Sequence, residues 1–229
     1  MSRDLFDRTE EYDEMLNRGI RLSGEGKRFF IAGRVRDLRA QLPPDFRPRR
    51  ILDYGCGIGE TAPYLVEAFE GAEIVGVDAS EESLVRARER YGPRGFSFCG
   101  TEAFCEAQAF DLCYVNGVLH HIAPRERLGV VKKILNALAP GGYLALFENN
   151  PWNPGTRISM SRIPFDRGAK TLRARETRRL LLEAGFAHCA PPRFLFYFPR
   201  FLRFLRFTEP WLARAPLGAQ YYVLAVKGR

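Results

Sequence analysis

Residues 50–60 read Arg50-Ile51-Leu52-Asp53-Tyr54-Gly55-Cys56-Gly57-Ile58-Gly59-Glu60. Ile51-Leu52 is a short apolar run of the kind that forms a buried strand. It stops at a turn with glycine on alternate positions, Gly55, Gly57 and Gly59, and a helical pattern follows from Thr61. Glycine is needed where the chain turns with positive φ or where a ligand must come close to the backbone. A strand, a glycine-rich turn and a helix in succession place a ligand at the carboxyl end of a sheet strand. The spacing departs from the Gly-x-Gly-x-x-Gly dinucleotide pattern, and Asp53 and Glu60 flank it. Two carboxylates would repel a pyrophosphate; a ligand with a cationic centre and hydroxyls tolerates them.

Outward from this stretch, strands and helices alternate. The pattern predicts strands at 51–54, 74–77, 96–99, 111–115, 143–147, 193–198 and 221–226, and helices at 61–69, 81–91, 125–138 and 175–184. Ser80 fits the N-cap of the helix over 81–91. Such alternation implies an α/β fold: a doubly wound, seven-stranded, mostly parallel sheet with helices on both faces. The short linker before the final strand makes that strand antiparallel. Upstream, Leu5, Phe6, Tyr12, Met15 and Leu16 are spaced for one helix face, and Phe29, Phe30, Ala32, Val35, Leu38 and Leu42 for another. The expected organisation is an N-terminal helical cap over 1–48 and a main domain over 49–229. The latter includes a substrate loop at 151–172 and a helical insertion at 199–216. Phe29 and Phe30 either wall the pocket or pack in a core.

The run Leu52 to Glu60, together with Asp78 about 20 residues beyond Gly59, resembles the first motif of the class I S-adenosylmethionine-dependent methyltransferases. Leu138-Ala139-Pro140-Gly141-Gly142 and Val118-Leu119-His120-His121 resemble runs found in the same family. The resemblance implies S-adenosylmethionine as cofactor and transfer of a methyl group to an O or N atom of a small molecule. Asp53, Tyr54, Gly55, Cys56 and Gly57 would admit the cofactor. Asp78, Ala79 and Ser80 would hold its ribose, Thr101 and Glu102 its adenine, and Asn116, Gly117 and Val118 its methionine portion. Two bland readings stay open: Asp78 as a helix cap, and Glu102 as a solvated carboxylate at a helix start. His120 or His121 would take a proton from the acceptor, since imidazole titrates near neutral pH. The alternative is a histidine pair with no role as a base.

The remaining features bound the function. Charge +8 in 229 residues, mostly from arginine, could steer the chain to nucleic acid, anionic lipid or acidic substrates. An RNA-modifying methyltransferase and a non-methylating relative such as a cyclase are the rival functions. Asn149-Asn150-Pro151-Trp152 follows the fifth strand, not the fourth, which argues against a nucleobase acceptor. Arg157 and Arg162 could hold an anionic group. Cys56, Cys99, Cys105, Cys113 and Cys189 lack Cys-x-x-Cys spacing, so reduced thiols, no metal and a cytoplasmic setting are expected. In 194–207, aromatics mix with arginine, and Arg200, Arg203 and Arg206 recur every third residue. That reads as a basic amphipathic helix for a membrane surface or lipid-linked substrate, or as an insertion that packs on the sheet or closes a homodimer. Nucleic acid is not an expected partner.

Overall fold

Strand β1 (Arg50–Tyr54) occupies the middle of the sheet, paired in parallel with β2 (Glu73–Asp78) on one side and β4 (Phe110–Asn116) on the other. The computed structural model describes residues 19, 23–163 and 168–229. The expected helix through Leu5, Tyr12 and Leu16, and the Phe165-Asp166 pair, lie outside them. β3 (Ser97–Gly100) adds to β2, and β5 (Leu138–Asn149) to β4, both in parallel. β8 (Gln220–Val226) pairs antiparallel with β5. Its other edge carries two short strands, β6 (His188–Cys189) and β7 (Arg193–Leu195).

The expected seven-stranded doubly wound sheet is therefore observed, with two refinements at its end. The last strand is antiparallel but internal, and the outer strand is broken in two. Pro191-Pro192 explains the break, because proline has no N–H to give to a ladder. The strand expected over 193–198 stops at Leu195. Phe196 follows with φ 63°, a left-handed conformation uncommon outside glycine.

Helices cover both faces. On one side lie α1 (Lys27–Gln41) and α2 (Ala62–Ala68), packing Val35, Leu38, Leu42, Leu65 and Phe69 against Ile51, Tyr114 and Phe147. On the other lie α4 (Pro124–Ala137) and α6 (Ala174–Ala184), packing Val131, Ile134 and Leu181 against Leu52, Val115 and Leu146. α3 (Glu81–Tyr91) starts at Ser80, whose side chain accepts from the Ser83 N–H at 3.2 Å. The expected N-cap is thus in place.

The stretch expected as a loop over 151–172 contains α5 (Pro154–Arg162). Asn153 explains it: its side chain accepts from the Thr156 N–H at 2.9 Å, and Pro154 stands at the first helical position. Arg157 and Arg162 are exposed on this helix. The expected amphipathic helix near 200 is a 3₁₀ helix, Arg200–Thr208, followed by the short α7 (Glu209–Leu212).

The described part of the expected cap is α1, and it belongs to a core. Polar contacts pin it along its length. Lys27 meets Glu60 at 2.6 Å, and Arg34 donates to the Tyr114 hydroxyl at 2.8 Å and to Gln220 at 3.0 Å. Asp37 accepts both arms of Arg193 and the Tyr222 hydroxyl. Phe29 and Phe30 pack on Phe196. Leu38 is fully buried, so Leu38→Ala should cost about 3 kcal/mol in urea unfolding through lost burial and a cavity. A loss below about 1 kcal/mol would mark α1 as a loosely seated lid.

Candidate active site

The parallel register brings the strand ends to one level. Tyr54 stands opposite Val77 and Val115, Asp78 opposite Gly100, and Asn116 opposite Phe147. The residues just beyond these positions therefore meet along the carboxyl edge of the sheet. Gly55 turns away with φ 80°, and its N–H and that of Cys56 both donate to the Val77 carbonyl, at 2.7 and 3.1 Å. A Cβ on Gly55 would lie 2.2 Å from Val118 Cγ2. The glycine turn is thereby seated against the turn after β4. Gly57, φ 52°, has nothing within 4 Å of where its Cβ would stand. That leaves its backbone open to a ligand.

Asp78 ends β2. Its Oδ2 accepts the Gly57 N–H at 2.8 Å and its Oδ1 the Ser80 N–H at 2.9 Å. Burial raises its pKa, while the N–H groups of Ser80, Gly57 and Ala79 pull it down. Carboxylate oxygens have further lone pairs, so Asp78 can still accept ligand hydroxyls. Thr101 is half-buried beside it, its N–H on the Asp78 carbonyl at 3.0 Å, whereas Glu102 is exposed.

Two buried acceptors have no protein donor among the described residues: Asp53 Oδ2 and Asn116 Oδ1. They belong to neighbouring strands. Asp53 is held up to a pKa of about 7, first by burial and then by the Asp78 charge, with Arg34 opposing. An ammonium group of a ligand would supply both the missing donor and the missing countercharge, and a sulfonium the countercharge alone. With the open Gly57 backbone and the Asp78 carboxylate, the donor set fits S-adenosylmethionine.

Beyond Asn116, Gly117 takes φ 70° and donates to the Phe147 carbonyl at 3.0 Å. The chain then makes a 3₁₀ turn, Leu119–His121. His120 is 4% exposed. Its Nδ1 meets Glu148 Oε2 at 2.5 Å, and the Leu119 N–H donates to Glu148 Oε1 at 2.8 Å. Glu148, fully buried, ends β5. The His120 carbonyl accepts the Lys170 N–H, and Arg127 donates to the carbonyls of Ile122 and Lys170. The His121 ring lies tilted at 49° against the His120 ring, 4.1 Å between centroids. The sequence pointed to both histidines but not to Glu148 as their partner. Its partnership depends on the β4–β5 pairing, which no local pattern encodes.

The fold is that of the class I S-adenosylmethionine-dependent methyltransferases. Residues 52–144 match the family model described as a methyltransferase domain. A trans-aconitate 2-methyltransferase of Rhodopseudomonas palustris is 32% identical over 131 residues, covering 57% of this chain and 50% of the relative. One from Variovorax paradoxus is 38% identical over 111 residues, covering 48% and 42%. The chain thus spans about half the length of the curated relatives it matches. The crystal structure of a SAM-dependent methyltransferase from Archaeoglobus fulgidus superposes with a TM-score of 0.67 at 17% identity, covering 88% of this chain and 95% of that one.

Two outcomes follow. Calorimetric titration of Asp78→Ala with S-adenosylmethionine should show affinity down about 100-fold, the worth of two hydrogen bonds to a charged acceptor. An unchanged isotherm would move the ribose elsewhere. Asp53 sets a pH effect on the cofactor-free protein. Its folded pKa, about 7, stands above its ordinary 3.8. Below about pH 4 folded and unfolded chains both hold the proton, so nothing is lost. As pH rises from about 4 to about 7 the unfolded chain alone sheds it and stability falls; above about 7 the folded chain sheds it too and the loss levels off. Asp53→Asn should therefore outlast wild type in urea by up to about 4 kcal/mol at about pH 8, the gap closing near about pH 4. A gap independent of pH would remove Asp53 as its source.

Proposed function

We propose that this protein transfers a methyl group from S-adenosylmethionine to a protonated oxygen or nitrogen of a small molecule, with His120 as the base. The observation that carries this reading is the buried His120–Glu148 pair, 2.5 Å apart, on the turn after β4. A carboxylate can only accept, so Nδ1 carries the shared hydrogen and Nε2 keeps its lone pair. Glu148 holds the ring and stabilises the imidazolium that forms when Nε2 takes a proton. Gly55, Gly57 and Asp78 would hold the cofactor, and Asp53 and Asn116 would meet its cationic methionine portion. S-adenosylmethionine supplies an electrophilic methyl group, so the chain's own work is to orient the acceptor, exclude water and remove a proton.

The named relatives support a small-molecule acceptor, and trans-aconitate is the acceptor in their names. Trans-aconitate is a carboxylic acid. At neutral pH its carboxylates carry no proton, so a base paired with Glu148 would be idle. The pair therefore favours a hydroxyl or an amine over a carboxylate. Thr101, Ala79, Ser80, Tyr54, Cys56, Gly117 and Val118 complete the proposed cofactor shell, and His121 packs on His120 as its ring neighbour.

A methyl-transfer assay over hydroxyl, amine and carboxylate acceptors, trans-aconitate included, tests the reading. With a hydroxyl or amine acceptor, His120→Ala should lower kcat by about 10²–10⁴-fold while cofactor affinity holds. Glu148→Gln should move the acid limb of the kcat/KM profile to lower pH, since the imidazolium loses its countercharge. Turnover confined to carboxylates, with kcat indifferent to His120→Ala, would sink the base and leave the pair structural. Cofactor binding without turnover on any acceptor would favour a non-methylating relative.

A further inference from the structure

The segment Arg200–Thr208 is made of short 3₁₀ turns that meet at a kink at Leu202 (φ −103°, ψ 20°), and its sequence places phenylalanine at every third position, 201, 204 and 207. Phe201, Phe204 and Phe207 are 75%, 66% and 68% exposed, and Trp211 on α7 is 77% exposed. Four outward aromatic side chains in one short segment are a large apolar feature for a soluble surface. Among the described residues their one ring contact is the edge-to-face approach of Phe207 to Trp211, at 6.2 Å.

The scaffold beneath is pinned. Arg206 turns inward to the Phe198 carbonyl, to Glu25 at 2.9 Å and to the face of Phe29. Glu209 accepts the N–H groups of Tyr197 and Phe198, both at 3.2 Å. The Tyr197 hydroxyl donates to the carbonyls of Leu212 and Ala215. Glu209 is the only acidic residue between 196 and 217, and those contacts keep it half-buried. The charges this segment shows to solvent, on Arg200, Arg203 and Arg214, are all positive.

From this arrangement we infer that the ridge of Phe201, Phe204, Phe207 and Trp211 docks this protein on an anionic phospholipid surface. Aromatic rings enter the headgroup boundary, and arginines at the rim meet lipid phosphates. No described helix is long and apolar enough to cross a membrane, so the contact would be with one leaflet. Charge decides against a second copy as occupant. A two-fold interface sets the same patch against itself, which would bring arginine toward arginine. The inference does not depend on methyl transfer and stands or falls separately from it.

Sedimentation of the full chain with vesicles tests it, using phosphatidylcholine alone and phosphatidylcholine mixed with phosphatidylglycerol. Wild type should pellet with the mixed vesicles and weaken with added salt. Arg200→Gln/Arg203→Gln should reduce partitioning about 20-fold, at about fivefold per charge. Phe201→Ser/Phe204→Ser/Phe207→Ser should also stay in solution with an unchanged melting curve, since these rings support no core. In a Trp152→Phe background Trp211 is the only tryptophan, and its emission should shift to the blue on mixed vesicles. Wild type left in the supernatant, or a triple-Phe variant that still pellets, would overturn the inference. A wild-type dimer by light scattering that those Phe changes make monomeric, without lipid binding, would assign the ridge to a second copy. Binding to RNA in place of vesicles would overturn it equally.

Discussion

Everything at the carboxyl edge depends on one close approach. Where Gly55 would carry a Cβ, Val118 Cγ2 stands 2.2 Å away, and φ at Gly55 is 80°. Both facts exclude an ordinary side chain. The contact joins the turn after β1 to the turn after β4, so the strand that leads into the glycine run and the strand that leads into the histidines end in a common place. Val77 adds a second tie by accepting the N–H groups of Gly55 and Cys56. Asp78, one residue further on, is thereby set to hold the Gly57 N–H. The cleft is a consequence of three adjacent strand ends drawn together by backbone contacts.

That geometry leaves charge buried. Asp53 lies inside the sheet with an oxygen that no described donor satisfies, and Asn116 shares the condition. A buried, unsatisfied carboxylate costs stability unless it stays protonated or meets a cation. The site thus costs stability in the free protein. Its nearest built-in relief is Arg34, which approaches from α1 yet spends its hydrogen bonds on Tyr114 and Gln220. The same helix fixes Asp37 to Arg193 and Tyr222, so the framework around the cleft is tied from β1 to β8.

At the far end of the chain, the three-residue repeat of phenylalanine and arginine is carried by short 3₁₀ turns that meet at Leu202, leaving Phe201, Phe204 and Phe207 exposed and Arg206 turned inward. Phe196, in a left-handed conformation, starts the segment against Phe29 and Phe30. Glu209 and Arg206 then hold it from within.

Much of this was legible in the order of residues. Alternating apolar runs and helical spacings specify a parallel α/β sheet because each period matches one buried face. The glycines after Leu52 and the acid at Asp78 mark a ligand edge because few other residues could occupy those positions. Local chemistry also announces caps, as at Ser80, and the Pro191-Pro192 break can be understood from the ring alone. What the sequence could not decide by itself was partnership between strands. Glu148 meets His120 only because β5 lies beside β4 in one register, and α1 joins the core only because three polar residues find partners on β4, β7, β8 and the glycine turn. Those contacts join segments remote in the chain, and only the packed structure brings them within hydrogen-bonding range.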